Sequence, residues 1–375
     1  MQFTFNTPPE IIFRTGASRD LGVLVSGRFK RPILLTDKGL IEAGLVEPAL
    51  DAIDRAGLNV LLFDDVAADP PADKVKQAVN AARAHNADGV IALGGGSSMD
   101  TAKVVAVLMN SAQSLEDIYG TDMVKGGRAP LICLPTTAGT GSEVTSISVI
   151  TTEADEKVGI VDNALFPDMA ILDPDLTMGL PRHVTAATGI DAMVHAIEAY
   201  TNIHRKNPVS DALAREALRL LAGNIVTACE KPGDKAAREA MLLGAMLAGQ
   251  AFANSPVGAV HGLAYPLGGI FHIPHGLSNS LMLEPVLRFN ASKANHHYAE
   301  LGAAIGAEAT CDSFIKRIVD IIDATGVERR LSQLGISHND LPRMAEDAMK
   351  AQRVLRNNPR EVSYDDALQM YTEVL

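Results

Sequence analysis

The chain has no tryptophan in its 375 residues and is only 4% aromatic, so any core must be aliphatic. It has three cysteines, Cys133, Cys229 and Cys311, far apart and odd in number. This excludes a disulfide framework and a paired CxxC metal knot, and predicts reduced, buried thiols in a cytoplasmic protein. Positive charge is also scarce, with 33 Lys and Arg against 45 Asp and Glu and a net charge of −12. Phosphate backbones are held by concentrated basic side chains, so nucleic acid is excluded as a general partner. The opening MQFTFNTPPEIIF lacks a basic segment followed by an apolar one, and no signal peptide is expected. Internal repeats and low-complexity tracts are missing too.

What is present is a chain with 47% hydrophobic and 21% charged residues, the balance of an ordinary globular protein. Its length exceeds the usual size of one core and predicts two domains. The run Ala240–Leu283 holds no Asp, Glu, Lys or Arg. Gln250, Asn254, Ser255 and Pro256 interrupt it, so it reads as a buried segment, and no membrane partner is expected. Three histidines lie within it: His261, His272 and His275. A buried imidazole without partners costs about 1–3 kcal/mol, so each must be hydrogen-bonded in a core or bound to a ligand.

In the first half, short apolar runs alternate with amphipathic helical patterns, the rhythm of parallel strands joined by crossover helices. Strands are expected at Pro32–Thr36, Asn59–Phe63, Gly89–Leu93 and Pro130–Leu134. Over Asp73–Asn86, Val75, Ala78, Val79 and Ala82 form one helical stripe. The loop from Gly94 to Lys103 (GGGSSMDTAK) follows a strand and opens a helix, a junction where free N–H groups suit a phosphate. The loop Pro135–Glu143 (PTTAGTGSE) is rich in hydroxyls that can bond sugar or phosphate oxygens. Asp37 ends the first of these strands, where a carboxylate would accept from an adenosine ribose and repel a 2′-phosphate, favouring NAD over NADP; a helix N-cap is its other reading.

From Arg182 onward the strand rhythm gives way to long helices, which puts the boundary near Gly179–His183. Asp191 and His195 stand at i and i+4, on one helix face. Together with His261 and His275 they offer one carboxylate and three imidazoles, a set suited to Fe²⁺ or Zn²⁺ and too rich in nitrogen for Mg²⁺ or Ca²⁺. Such a site stays net positive and can polarise an alcohol or carbonyl oxygen. His183, His204, His272, His296 and His297 lie outside the set, with His204, His296 and His297 expected at the surface. A capping box at Ser363–Asp366 predicts a short terminal helix.

Several motifs in order, Thr36-Asp-Lys38, Gly94-Gly-Gly-Ser-Ser-Met-Asp100, Pro135-Thr-Thr-Ala-Gly-Thr140, Ala187-Thr-Gly-Ile-Asp191, His261-Gly, Pro274-His-Gly276 and Asn357-Asn-Pro-Arg360, give a chain that resembles the iron-containing, or group III, alcohol dehydrogenase family. The resemblance implies the dehydroquinate synthase-like fold: a Rossmann-like α/β domain over residues 1–181 that binds NAD(P), and an all-α metal-binding domain over 182–375, with cofactor and metal meeting in the cleft between them. It implies Asp191, His195, His261 and His275 as ligands of a divalent metal, Fe²⁺ with Zn²⁺ as the alternative. For the cofactor it implies Asp37 at the ribose, Gly95, Gly96 and Ser97 at the pyrophosphate, and Thr136, Thr137, Thr140, Thr145 and Lys157 as further contacts. A homodimer or larger homo-oligomer is expected on the same ground.

Two departures stand out. Asp69 precedes Pro70 where many relatives have Asn, which unsettles the adenine-side contact. Tyr265 replaces the histidine that many alcohol-active relatives carry four residues after the first ligand histidine. A phenol donates a hydrogen bond but is a poor base at neutral pH, and the nearby His272 is the substitute expected to move the proton. Phe252, Ile147 and Tyr265 are the expected pocket walls. The expected activity is hydride transfer between a small alcohol, aldehyde, semialdehyde or hydroxyacid and NAD(P). A hydroxyacid–oxoacid transhydrogenase with a retained nicotinamide is the alternative, since such relatives also show Tyr at this position. A lyase of the dehydroquinate synthase type would need basic residues that the uncharged run does not supply, and a non-catalytic metal-binding module is the remaining rival.

Overall fold

The computed structural model describes residues 2–154 and 156–375. Contacts divide the chain into two units, one containing Asn6–Thr137 and Gly141–Gly179, the other Leu180–Leu375 together with Ala138–Thr140 and the described residues up to Phe5.

Among the described residues the first unit contains nine strands: β1 Glu10–Phe13, β2 Pro32–Leu35, β3 Leu61–Phe63, β4 Gly89–Gly94, β5 Gly120–Thr121, β6 Leu131–Pro135, β7 Ile147–Thr151, β8 Lys157–Val161 and β9 Met169–Leu172. Six form a fully parallel sheet in the order β1-β9-β6-β4-β2-β3. Successive side chains on a strand point to opposite faces, so a sheet covered on both sides needs continuous apolar runs. Ile33 and Leu35 of β2, Val90 and Ala92 of β4, and Leu131 and Cys133 of β6 enter one core. Their neighbours Leu34, Ile91, Leu93, Ile132 and Leu134 enter the other. Helices α1 Leu21–Leu24, α2 Lys38–Glu42, α3 Glu47–Arg55, α4 Ala72–Ala84 and α5 Gly96–Leu108 belong to this unit. The stripe Val75, Ala78, Val79 and Ala82 of α4 packs into the first core and Ala49, Ala52 and Ile53 of α3 into the second.

The four expected strands all form, with ends shifted by one or two residues. The sequence reading missed β1, β9 and the antiparallel β7–β8 pair. β1 and β9 are four-residue runs set among prolines and aspartates, and their pairing with each other joins positions 159 residues apart in register, Glu10 against Met169. The pair β7–β8, with β5, makes a separate three-stranded sheet.

The second unit is helical: α6 Arg182–Thr201, α7 Pro208–Glu230, α8 Lys235–Asn254, α9 Ala259–Phe271, α10 His275–Ala304, α11 Cys311–Thr325, α12 Leu341–Ala348, α13 Gln352–Leu355 and α14 Tyr364–Glu373. Ser363 and Asp366 form the reciprocal capping box at the start of α14. The three cysteines are free and buried. Among the described residues no helix is long and apolar enough to cross a membrane. One surface expectation fails: His297 is half-buried, packed edge-on against the Tyr200 ring at 5.7 Å, because the exposed face of α10 is interrupted there by the Tyr200–Glu300 hydrogen bond.

Candidate metal centre

Helix α6 is apolar almost all round, and most of it is buried, including Asp191 (2% exposed) and His195 (4%). Burying these groups is costly unless they are satisfied, and α9 and α10 supply the partners. His261 comes from the first turn of α9 and His275 opens α10. Asp191 Oδ1 lies 3.8 Å from His195 Nε2, 4.0 Å from His261 Nε2 and 3.6 Å from His275 Nε2. The ligand atoms of all four lie within 4.8 Å of one another.

Two further side chains complete the cluster, and sequence reading missed both. Glu198, one more turn along α6 from His195, places Oε2 2.6 Å from His261 Nδ1 while its Oε1 accepts from the Val260 backbone N–H at 2.7 Å. Asn279, one turn after His275 on α10, places its amide Nδ2 2.6 Å from Asp191 Oδ1 and 3.2 Å from both His261 Nε2 and His275 Nε2. Their signal was the spacing: Asp191, His195 and Glu198 stand at i, i+4 and i+7 of α6, and Asn279 at i+4 from His275.

The donor set fits a divalent cation. Burial pushes the Asp191 carboxyl up, but the surrounding imidazoles and Asn279 outweigh it and hold it below the ordinary range. Burial, followed by the neighbouring imidazoles, drives His195 down to about 3 despite Asp191. The two amide hydrogens of Asn279 are shared among Asp191 Oδ1, His261 Nε2 and His275 Nε2, and among the described residues the Asn279 Oδ1 is buried without a hydrogen bond. An excess of lone pairs over hydrogens in a buried site is the electrostatic demand a cation meets. The Phe252 ring stacks on His195 at 4.2 Å and covers that side. Close backbone approach is built in as well: a Cβ on Gly276 would lie 2.4 Å from the Ala187 carbonyl oxygen, and one on Gly139 would lie 2.6 Å from Thr188 Cβ.

Tyr265 follows His261 by one turn of α9. The residue is 38% exposed, yet desolvation pushes its phenol above the ordinary value, and the positive charge of Arg353 only partly offsets this. His272 is exposed at the C-cap of α9 in the left-handed conformation, φ 55°.

In the α/β unit, Asp37 follows β2, Gly95 follows β4 and Thr136 follows β6. The three strands are adjacent, with Leu35 opposite Ala92 and Gly94 opposite Pro135. The chain runs outward from β2 to β3 and then back to β4, so the carboxyl ends of β2 and β4 form a topological switch point, where open parallel sheets bind ligands. Gly96 and Ser97 open α5, whose first N–H groups have no intrahelical acceptor. Gly95 has room beside it, its nearest neighbour being Thr137 Cγ2 at 3.5 Å from an added Cβ. Asp37 also caps α2, accepting from Leu40 N–H at 3.1 Å. Thr136 and Thr145 are buried, and Thr145 Oγ1 is bonded by Lys103 Nζ at 3.0 Å. Lys157 pairs with Asp69 at 2.7 Å, which ties the departure at Asp69 to an expected cofactor contact. Thr140 packs with the helical unit, and Ile147 gives its carbonyl to Lys103.

The sequence pattern of the family described as iron-containing alcohol dehydrogenase matches residues 8–174, and that of the Fe-containing alcohol dehydrogenase family, C-terminal, matches 185–375. A sulfoacetaldehyde reductase from Bilophila wadsworthia is 34% identical over 98% of this chain and 98% of its own length. Long-chain-alcohol dehydrogenase 1 from Geobacillus thermodenitrificans is 38% identical over 91% of this chain and 89% of its own. The solved structure of sulfoacetaldehyde reductase from Bifidobacterium kashiwanohense in complex with NAD+ superimposes with a TM-score of 0.92 at 30% identity, covering 100% of this chain and 99% of that one.

Proposed function

Because the chain belongs to the iron-containing alcohol dehydrogenase family and is an alcohol or aldehyde oxidoreductase, we propose that it interconverts a short aldehyde or semialdehyde and its alcohol by hydride transfer with NAD, holding Fe²⁺ at Asp191, His195, His261 and His275. The convergence of one carboxylate and three imidazoles, with Asp191, His195 and His261 buried and His275 partly exposed, carries this reading. A divalent ion bound there supplies the Lewis acidity that polarises the substrate oxygen.

The chain's own residues do the rest. Asp191 brings the one negative charge among the four ligands, the Glu198 carboxylate stands behind His261, and Phe252 excludes water from the His195 face. The Tyr265 hydroxyl, held in the neutral form, donates a hydrogen bond and does not act as a base. His272, exposed, exchanges the proton with solvent. On the nucleotide side the N–H groups from Gly95 to Ser97 hold the pyrophosphate, Asp37 the ribose, and Thr136, Thr137, Thr140, Thr145 and Lys157 the remainder. The solved relative carrying NAD+ and the carboxylate at position 37 both support NAD over NADP. The relatives named for sulfoacetaldehyde support aldehydes bearing an acidic group as members of the substrate screen.

The test is anaerobic purification and metal analysis, followed by NADH- and NADPH-linked assays on short aldehydes and semialdehydes with Fe²⁺ or Zn²⁺ restored to stripped protein. Turnover that depends on the metal and prefers NADH is expected. Absence of metal and of any turnover across the panel would overturn the reading. Tyr265 favours one second reading, a transhydrogenase that passes hydride from a hydroxyacid to an oxoacid on a retained nicotinamide; turnover of such a pair with trace NAD and no net NADH selects it.

A further inference from the structure

We infer that Glu198 is a positioning residue of the metal centre, fixing the proton of His261 on Nδ1 so that the Nε2 lone pair faces Asp191 and its partners. The inference rests on the reading of His261 as a metal ligand. Glu198 is 6% exposed and both its oxygens are committed: Oε1 to the Val260 N–H at 2.7 Å, Oε2 to His261 Nδ1 at 2.6 Å. A carboxylate only accepts, so the nitrogen facing it carries the hydrogen, and in a neutral ring the other nitrogen then has none. That other nitrogen, Nε2, is the one 4.0 Å from Asp191 Oδ1. The same carboxylate also fixes the backbone one residue before the ligand, and it comes from the helix that presents Asp191 and His195. Orientation, tautomer and anchoring of His261 thus all depend on one side chain. A histidine ligand whose second nitrogen bonds a carboxylate is also a stronger donor, and losing such a partner typically costs about 10–100-fold in metal affinity.

The geometry separates charge from shape. In Glu198→Gln the Val260 N–H, which can only donate, takes the amide oxygen. The amide NH₂ is left facing His261 Nδ1. The ring answers by accepting there and moving its proton to Nε2, where it blocks ligation. The substitution keeps the volume and both contacts, yet reverses the lone pair.

The experiment compares intact protein and Glu198→Gln, stripped of metal, by chelator-competition titration with Zn²⁺ and, anaerobically, Fe²⁺, with thermal unfolding of the metal-free forms alongside. Nitrogen-15 spectra of the imidazoles assign the tautomer. The expected result is at least tenfold weaker metal binding by the variant at an unchanged metal-free unfolding midpoint, with the His261 proton on Nδ1 in the parent and on Nε2 in the variant. Equal affinity overturns the inference. Should the variant not fold, the parent spectrum decides: a proton on Nδ1 supports the assignment and one on Nε2 overturns it. A parent that binds neither metal sinks the metal-centre reading itself, which the tautomer measurement distinguishes from failure of the Glu198–His261 link.

Discussion

The Asn279 amide nitrogen lies 2.6 Å from Asp191 Oδ1, so the most deeply buried carboxylate of the site takes a hydrogen bond from a neutral side chain on another helix. Asn279→Ala removes that donor and strands a buried anion. Leaving a buried group unsatisfied costs about 1–3 kcal/mol. The metal-free variant should therefore unfold at a lower temperature than the metal-free parent, and added Zn²⁺ should close part of the gap because a ligand that binds only the folded state stabilises it. Identical metal-free midpoints in calorimetry would refute this role for Asn279.

Glu143 is fully enclosed in the α/β unit, and burial pushes its carboxyl from an ordinary 4.5 up to about 7; its own backbone N–H and Lys103 offset this only in part. Between those values the folded chain binds more protons than the unfolded one, so stability falls as pH rises through the window. Glu143→Gln, which has no charge to bury, should therefore raise the unfolding midpoint relative to the parent at pH 8 and leave it nearly unchanged at pH 4.5. Midpoints measured across this range check the sign; a stabilisation confined to acid pH would contradict it.

How much of this was legible beforehand depended on whether the constraint was local. The Gly-rich turn at Gly94–Gly96 and the Asp191/His195 pair carry their geometry in their spacing, and each stands where the sequence placed it. Lys103 did not announce itself. A lysine in a helix is ordinarily solvated, and this one is fully buried only because Ser142, Thr145 and the Ile147 carbonyl, about forty residues on, receive its three hydrogens. Glu198 shares a helix face with Asp191 and His195 by its spacing, but its role was hidden for the same reason: its partner His261 is 63 residues away. The β1–β9 pairing likewise depends on a contact between distant short runs that no local pattern encodes.

His297 offers a pH effect of the opposite sign to Glu143. Burial, then Lys206 and His296, lower it from an ordinary 6.5 to about 4, with Glu300 acting against them, while the Tyr200 ring packs on its edge. The unfolded chain therefore takes up a proton first as pH falls, and stability is lost between about 6.5 and 4. His297→Gln should remove part of that loss, so that parent and variant differ more in midpoint at pH 4.5 than at pH 7.5. Partial exposure weakens the effect through solvent screening, and a shallow difference is expected. A parallel pair of midpoint curves across the range would eliminate it.

Gly276 tests the link between packing and ligation. A Cβ there would come within 2.4 Å of the Ala187 carbonyl oxygen and 2.7 Å of its carbon, and backbone atoms have nowhere to swing. Helix α10 would have to move away from α6, carrying His275, the neighbour of Gly276, from Asp191, which lies one turn beyond Ala187. The 3.6 Å approach of His275 Nε2 to Asp191 Oδ1 would open. Gly276→Ala should thus weaken metal binding by about tenfold or more, a loss comparable to that of an orienting partner. Gly223, inside α7 with nothing beyond its own helix backbone within 4 Å of an added Cβ, is the control. At Gly223, alanine should stabilise by about 0.5–1 kcal/mol through reduced backbone freedom, with metal affinity unchanged. If Gly276→Ala binds Zn²⁺ as tightly as Gly223→Ala does, the close approach of α6 and α10 is not what sets the distance between Asp191 and His275.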